Sequence, residues 1–371
     1  MQNIINRTIL SKLINSSLLL SLLMVSSCLD PIELKIPKGF DNALVIQAEL
    51  IKGNPSTFNL TVSRLFDFTL EGIGKVNVRE VIMEDSDGNK LEIEAFGTGV
   101  YKETFGDDSP ISIEVGKSYK LYISTFDGRK YESNFEPILP TPQIDSLSYE
   151  IVNRELILDE EDGSRFDSIV RFRLNTPLSA PNQEEQVDLK WNVRRVFKIS
   201  DTPIEFGVFQ KTCYVTENIG VTQVRTFNGS EYNQPRLENY DVIDQLLDFH
   251  FSEGYYLEVI QQSLSKGAYE YWSRTAQVLD RNGDMFEAPA GKVSSNFVNV
   301  DDPNEEAFGY FYATTETIAR IYVSPEFAGN PGALCPPTEP PPPTGGCPLD
   351  ICCDCLSQEI STVIKPSYWV E

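Results

Sequence analysis

Leu44-Val45-Ile46-Gln47-Ala48-Glu49-Leu50, the turn Lys52-Gly53-Asn54-Pro55 and Phe58-Asn59-Leu60-Thr61-Val62 decide the fold class. Side chains alternate across an extended chain, so Leu44, Ile46, Ala48 and Leu50 share one side, as do Phe58, Leu60 and Val62 after the turn. The same pattern continues downstream. Val76 and Val78 open a further strand, and Asp85-Ser86-Asp87-Gly88-Asn89 is a turn before Leu91, Ile93 and Ala95. Ile111, Ile113 and Val115 lead through Gly116-Lys117 into Tyr119, Leu121 and Ile123, and Asp127-Gly128-Arg129 closes another hairpin. Six or seven short strands without a helical period between them predict an immunoglobulin-like β-sandwich over residues 43–136.

The prolines of Glu136-Pro137-Ile138-Leu139-Pro140-Thr141-Pro142 remove ladder donors, so residues 137–143 read as a linker. A second β-rich domain is expected over 144–330. It opens on a hairpin, 155–158 with 168–174, around the acidic turn Asp159-Glu160-Glu161-Asp162-Gly163. In its clearest strand Val187, Leu189, Trp191 and Val193 alternate with Asp188, Lys190, Asn192 and Arg194, which predicts a sheet with one wet face. Residues 255–259 and 308–313 are further strands. Between them, 267–279 is the best helix, with Ala268, Tyr271, Trp272, Thr275 and Leu279 on one stripe. The body ends near Val323. A proline- and cysteine-rich tail, 331–371, follows, its run 336–343 reading as an extended spacer.

At the other end, Arg7 and Lys12 precede the apolar Leu18-Leu19-Leu20-Ser21-Leu22-Leu23-Met24-Val25, which stops at Ser26-Ser27-Cys28. That stretch is short for a permanent span and has small residues where a peptidase cuts, so 1–27 reads as a signal peptide. Val25-Ser26-Ser27-Cys28 resembles a lipobox, which makes Cys28 the lipidation site and 28–42 a lipid-anchored tether. A multiply acylated cysteine supplies enough methylene groups for stable anchoring. The formal charge of −24 disfavours nucleic acid and anionic lipid faces as partners. With Cys28 assigned to lipid, Cys213, Cys335, Cys347, Cys352, Cys353 and Cys355 remain, an even set suited to bridges in an oxidising compartment. Their pairing is open, with Cys213 the candidate to tie the tail to the body. A zinc site at Cys347, Cys352, Cys353 and Cys355 is disfavoured, because the thiols crowd together without a histidine.

Groups for catalysis are sparse. The single histidine, His250, sits between Phe249 and Phe251 and reads as structural, no G-x-S-x-G elbow is present, and Gly72-Ile73-Gly74 is too brief to cradle phosphate. Asp85, Asp87 and Asn89, and again Asp280, Asn282 and Asp284, have calcium-like spacing. Neither set has the rest of an EF-hand loop, so tight turns are the preferred reading. Tyr255, Tyr256, Tyr269, Tyr271 and Trp272 form a possible stacking platform, with packing the commoner use of such a stripe. No cofactor, metal or catalytic residue is assigned.

Several stretches together carry a resemblance. They are 44–50, Gly99-Val100-Tyr101, Asp127-Gly128-Arg129-Lys130-Tyr131-Glu132-Ser133, Pro140-Thr141-Pro142-Gln143-Ile144-Asp145-Ser146-Leu147 and Ala268-Tyr269-Glu270-Tyr271-Trp272. Asn296-Phe297-Val298-Asn299, Gly309-Tyr310-Phe311, Cys352-Cys353-Asp354-Cys355 and Lys365-Pro366-Ser367-Tyr368-Trp369 complete the set. The chain resembles Bacteroidota outer-membrane lipoproteins catalogued as a domain of unknown function and commonly encoded beside TonB-dependent receptors. The resemblance implies a lipid-anchored, non-enzymatic accessory subunit of such a β-barrel receptor, capturing substrate or docking. The runner-up is a structural or assembly subunit of an outer-membrane complex. The cell-surface face is favoured over the periplasmic one, although Leu29-Asp30-Pro31-Ile32-Glu33 has only two spaced acids where surface lipoproteins of these bacteria carry a compact acidic signal.

Overall fold

The computed structural model describes residues 43–64, 74–157, 164–203, 209–220, 223–280, 293–335 and 349–370, with the side chains of 154–157 and 164–166 left aside. The signal peptide, Cys28, the tether, the acidic turn at 159–163, the proline run, Cys347, Asn282, Asp284 and Gly72-Ile73 lie outside the described residues.

The first part of the chain contributes β1 (Leu44–Lys52), β2 (Ser56–Arg64), β3 (Glu80–Asp85), β4 (Lys90–Glu92), β5 (Ala95–Gly97), β6 (Val100–Phe105), β7 (Ser118–Ser124), β8 (Lys130–Ser133) and β9 (Glu136–Pro137). Then follow β10 (Ser146–Ile157), β11 (Ser164–Pro177), β12 (Asp188–Ser200), β13 (Thr212–Ile219), β14 (Arg225–Phe227), β15 (Arg236–Leu246) and β16 (Tyr255–Leu264). Helix α1 (Lys266–Leu279), β17 (Phe297–Asn299), β18 (Phe311–Val323), helix α2 (Asp350–Cys353) and β19 (Ser361–Thr362) complete the order. The fold is mostly β, with one helix of useful length and a disulfide-bonded C-terminal tail, as the sequence predicts.

A ten-stranded sheet, ordered β19-β13-β12-β16-β18-β1-β2-β6-β5 with β14 also on β12, runs through the whole molecule. Its middle joint is parallel: β1 lies beside β18 with Ala48 opposite Phe311 and Lys52 opposite Thr315. Gly309, with φ of +87°, lets the chain enter this joint, since a Cβ there would stand 2.1 Å from the Ile46 carbonyl oxygen. A six-stranded sheet (β17-β8-β7-β3-β4, with β9 on β7) and a three-stranded one (β10-β11-β15) complete the layers. Residues from the far end of the chain thus finish the first sandwich, β17 pairing with β8 and β18 with β1.

Both smaller sheets cover the same side of the long sheet. Along β18, Phe311 and Ala313 enter the core shared with the six-stranded sheet, and Val323, of the same parity, enters the core shared with the three-stranded one. Tyr312 and Tyr322 point to the other side, where they meet α1 and the C-terminal tail. The chain at 137–143 is wedged between strands rather than hanging free. Thr141 donates from Oγ1 to the Thr315 carbonyl (2.7 Å) and takes the Ser263 amide (2.9 Å), while the Gln261 amide reaches the Pro142 carbonyl (2.7 Å).

Local expectations fare unevenly. Leu44, Ile46, Ala48, Leu50, Phe58, Leu60 and Val62 are all buried as predicted. The run 91–95 is not one strand, because the chain leaves the six-stranded sheet after β4 and joins the long sheet at β5. Residues 111–115 are not a strand either, although Ile111 and Ile113 are buried, and Val76–Val78 is represented only by a bridge between Ser63 and Lys75. The strand expected at 308–313 starts at Phe311. The predicted wet face of β12 is also corrected: Asp188 and Lys190 are buried, Lys190 because Trp272 of α1 lies over it.

Candidate functional site

The side of the long sheet away from the two smaller sheets holds the chemistry. Helix α1 forms there because Ser265 caps it, accepting the Ala268 amide at 3.1 Å, and because Ala268, Tyr271 and Trp272 recur at the spacing of one helical face. Its last turn projects outward, leaving Leu279 exposed, so the predicted stripe packs only over its first part. Ser265 also donates to Glu136 Oε2 at 2.6 Å, and Tyr310 donates to Glu136 Oε1 at 2.6 Å. Burial pushes the Glu136 carboxyl above its ordinary range, and the hydrogen bonds from Ser265, Tyr310 and Asn296 offset part of that. Gly267 is required at this junction, since a Cβ would lie 2.5 Å from the Tyr310 hydroxyl.

Beneath α1 a polar network crosses four strands. Lys190 on β12 donates to Gln262 Oε1 (3.0 Å) and Asn192 Oδ1 (3.1 Å) and stands 4.7 Å over the Trp272 ring. Gln262 donates from Nε2 to Glu49 on β1 (2.8 Å) and to Glu316 on β18 (2.7 Å), and the Tyr312 hydroxyl donates to Glu49. Burial lowers the Lys190 ammonium from its usual range while Glu49 and Glu316 pull it back, and burial raises Glu316. Two clefts open on either side of Trp272. One, of about 360 Å³, is bounded by Lys190, Asn192, Arg194, Arg225, Ile260 and Trp272. The other, of about 230 Å³, has Gln47, Glu49, Asn59 and Thr61 below the rings of Tyr271 and Trp272.

The C-terminal tail reaches both sides: Cys335 and Cys352 enter the core shared with the three-stranded sheet, and Trp369 lies on the side that α1 occupies. Cys213 is bonded to Cys355 and Cys335 to Cys352, and Cys353 is disulfide-bonded as well. Cys213 does tie the tail to the body, as the sequence suggests. Asp201, fully buried, accepts the Lys211 amide at 2.6 Å and the Cys355 amide at 3.3 Å. Trp369 sits among Tyr214, Tyr256 and Tyr322, with ring centroids 4.9, 5.1 and 6.2 Å away, and Tyr256 donates to the Tyr368 carbonyl at 2.9 Å. Held this way, the tail still leaves Leu349, Leu356, Ile360, Val363, Ile364 and Val370 exposed, Ile364 by 75 %.

The other sequence candidates are accounted for locally. His250 stacks on Phe249 (3.9 Å), meets the edge of Phe197 (4.6 Å) and shares a 2.6 Å hydrogen bond with Asp248, in keeping with a structural residue. Asp85 is occupied by its own turn, accepting the amides of Asp87 (3.0 Å) and Asn89 (2.9 Å). Asp280 caps the end of α1. Among the described residues no group of three or more His, Cys, Asp or Glu is placed to hold a metal ion, and no helix is long and apolar enough to cross a membrane. The aromatic candidates split: Tyr255 is in the inner core, Tyr256 holds the tail, and Tyr269, Tyr271 and Trp272 belong to the helix cluster. Lys190, Gln262, Glu49 and Glu136 were not marked as site residues by sequence reasoning. The available signal was the adjacent amide pair Gln261-Gln262 directly after the apolar Val259-Ile260.

These features define a mostly β protein with a continuous sheet, a cystine-bound tail and a helix-covered polar face. Residues 29–320 match the family described as "Domain of unknown function (DUF4249)", and the chain belongs to that family. Comparison with curated proteins and with solved structures gave no match.

Proposed function

We propose that the protein is a lipid-anchored accessory subunit of an outer-membrane TonB-dependent receptor, non-enzymatic, fixed through Cys28 and meeting its β-barrel partner through the cystine-bound tail. The observation that carries this reading is the tail itself. A segment fixed by Cys213–Cys355 and Cys335–Cys352 nevertheless presents Ile360, Val363, Ile364 and Val370 to solvent. Exposed apolar side chains on a rigid support favour contact with another protein. Stable cystines support an oxidising compartment, which agrees with a signal peptide and lipobox at the N-terminus. The acidic surface argues against nucleic acid as the partner.

The test is a mild-detergent pull-down of the tagged protein from native membranes with mass spectrometry. A β-barrel receptor recovered in near-equal amount, and lost when Ile364 is changed to Asp, is the expected result. Recovery of the protein alone overturns the reading. Assembly components in place of a receptor would establish the runner-up.

A further inference from the structure

The larger cleft beside α1 is out of keeping with the rest of the molecule. The chain carries a formal charge of −24, yet the charged side chains bounding this cleft are Lys190, Arg194 and Arg225. Arg194 is held by one ion pair, Nη2 to Glu258 at 3.0 Å, and the same carboxylate takes Arg320 through its other oxygen at 2.5 Å. The Arg194 Nε is buried with no hydrogen-bond partner among the described residues, and so is the indole Nε1 of Trp272, a second residue of the cleft. A buried donor without an acceptor is costly, so two of them on residues that bound one cleft point to acceptors supplied from outside. Ile260 and the Trp272 ring contribute apolar surface to the same cleft.

We propose that this cleft binds a small carboxylate carried on a flat apolar body, the carboxylate meeting Arg194 and the body lying against Ile260 and Trp272. A charge-assisted hydrogen bond is stronger than a neutral one, and a guanidinium is suited to a planar oxyanion. The cleft volume of about 360 Å³ falls within the range of small-molecule sites. The assignment goes beyond the docking role and is independent of whether a receptor partner is found.

The experiment uses the purified full-length protein in detergent and follows the indole N–H resonances of its three tryptophans by nuclear magnetic resonance, with W272F identifying the Trp272 signal. Benzoate is the probe and benzamide its neutral match. The expected result is a saturable shift of the Trp272 signal with benzoate, a far smaller one with benzamide, and affinity for benzoate weakened at least about tenfold in Arg194→Gln. No shift with benzoate, an equal shift with benzamide, or unchanged benzoate affinity in Arg194→Gln each overturns the proposal. The benzamide comparison uses the unmodified protein and so decides the matter without depending on the folding of a variant.

Discussion

The two sides of the long sheet are made by alternate residues of the same strands, yet they are built on different terms. On one side Phe311, Ala313, Val259 and Leu257 close apolar cores against the two smaller sheets. On the other, Lys190, Gln262, Glu316 and Glu49 are tied together under a single helix, with clefts left open at its flanks. The two smaller sheets close that side, and the polar groups between its two apolar cores, Gln261, Ser263 and Thr315, are spent on the segment 137–143. A helix narrower than the sheet it covers leaves margins, and the two clefts open there.

The largest expected effect tests the closed side. Phe311→Ala removes a fully buried ring lying edge-on to Phe58 and should cost about 3–5 kcal/mol, read from the urea midpoint. Replacing Cys213 and Cys355 together by Ser releases a link spanning 142 residues and should cost about 2–5 kcal/mol under non-reducing conditions. Lys190→Met sets the contrast. It removes a donor to Gln262 Oε1 and the cation that Glu49 and Glu316 face, so it should cost about 1–3 kcal/mol near neutral pH, and less as pH falls and Glu316 takes up a proton. Should the cost of Lys190→Met be as independent of pH as that of Phe311→Ala, the distinction between the two sides fails.

The smallest effect is one of pH. The Glu136 carboxyl is raised above 4.5 by burial, so the stability linked to its proton is present at low pH and lost as pH rises through the folded value. Glu136→Gln should remove that part of the decline, so that its denaturation midpoint, relative to the parent's, improves as pH rises from the ordinary carboxyl range through the folded value. A parallel offset at every pH would mean that Glu136 does not titrate differently in the folded state.

The closed side was largely legible in the sequence. Leu44 to Leu50 and Phe58 to Val62 alternate because one face of each strand is buried, and hydrophobic periodicity reports that directly. The open side was not. Asp188, Lys190, Asn192 and Arg194 read as a wet face, since no local pattern announces that a helix some 80 residues downstream will cover part of it. The β1–β18 pairing was hidden for the same reason, as partners so far apart leave no spacing signal. The split of 91–95 into β4 and β5 was missed because a strand changing sheets keeps its alternation until the point of crossing. Helix α1 was readable from its stripe, and the tail from its cysteines, but which thiols would meet depended on where β13 began.

The parallel joint between β1 and β18 also sets an order on assembly. A chain that emerges N-terminus first exposes β1 long before residues 311–323 exist, and β2 can occupy only one of its edges. The other edge stays available as a template for any passing strand until nearly the whole body has been delivered. Contacts of such long sequence separation slow folding. Maturation in the cell is therefore expected to lean on a chaperone that shields that edge, and a copy truncated before Phe311 should aggregate rather than fold as a smaller sandwich.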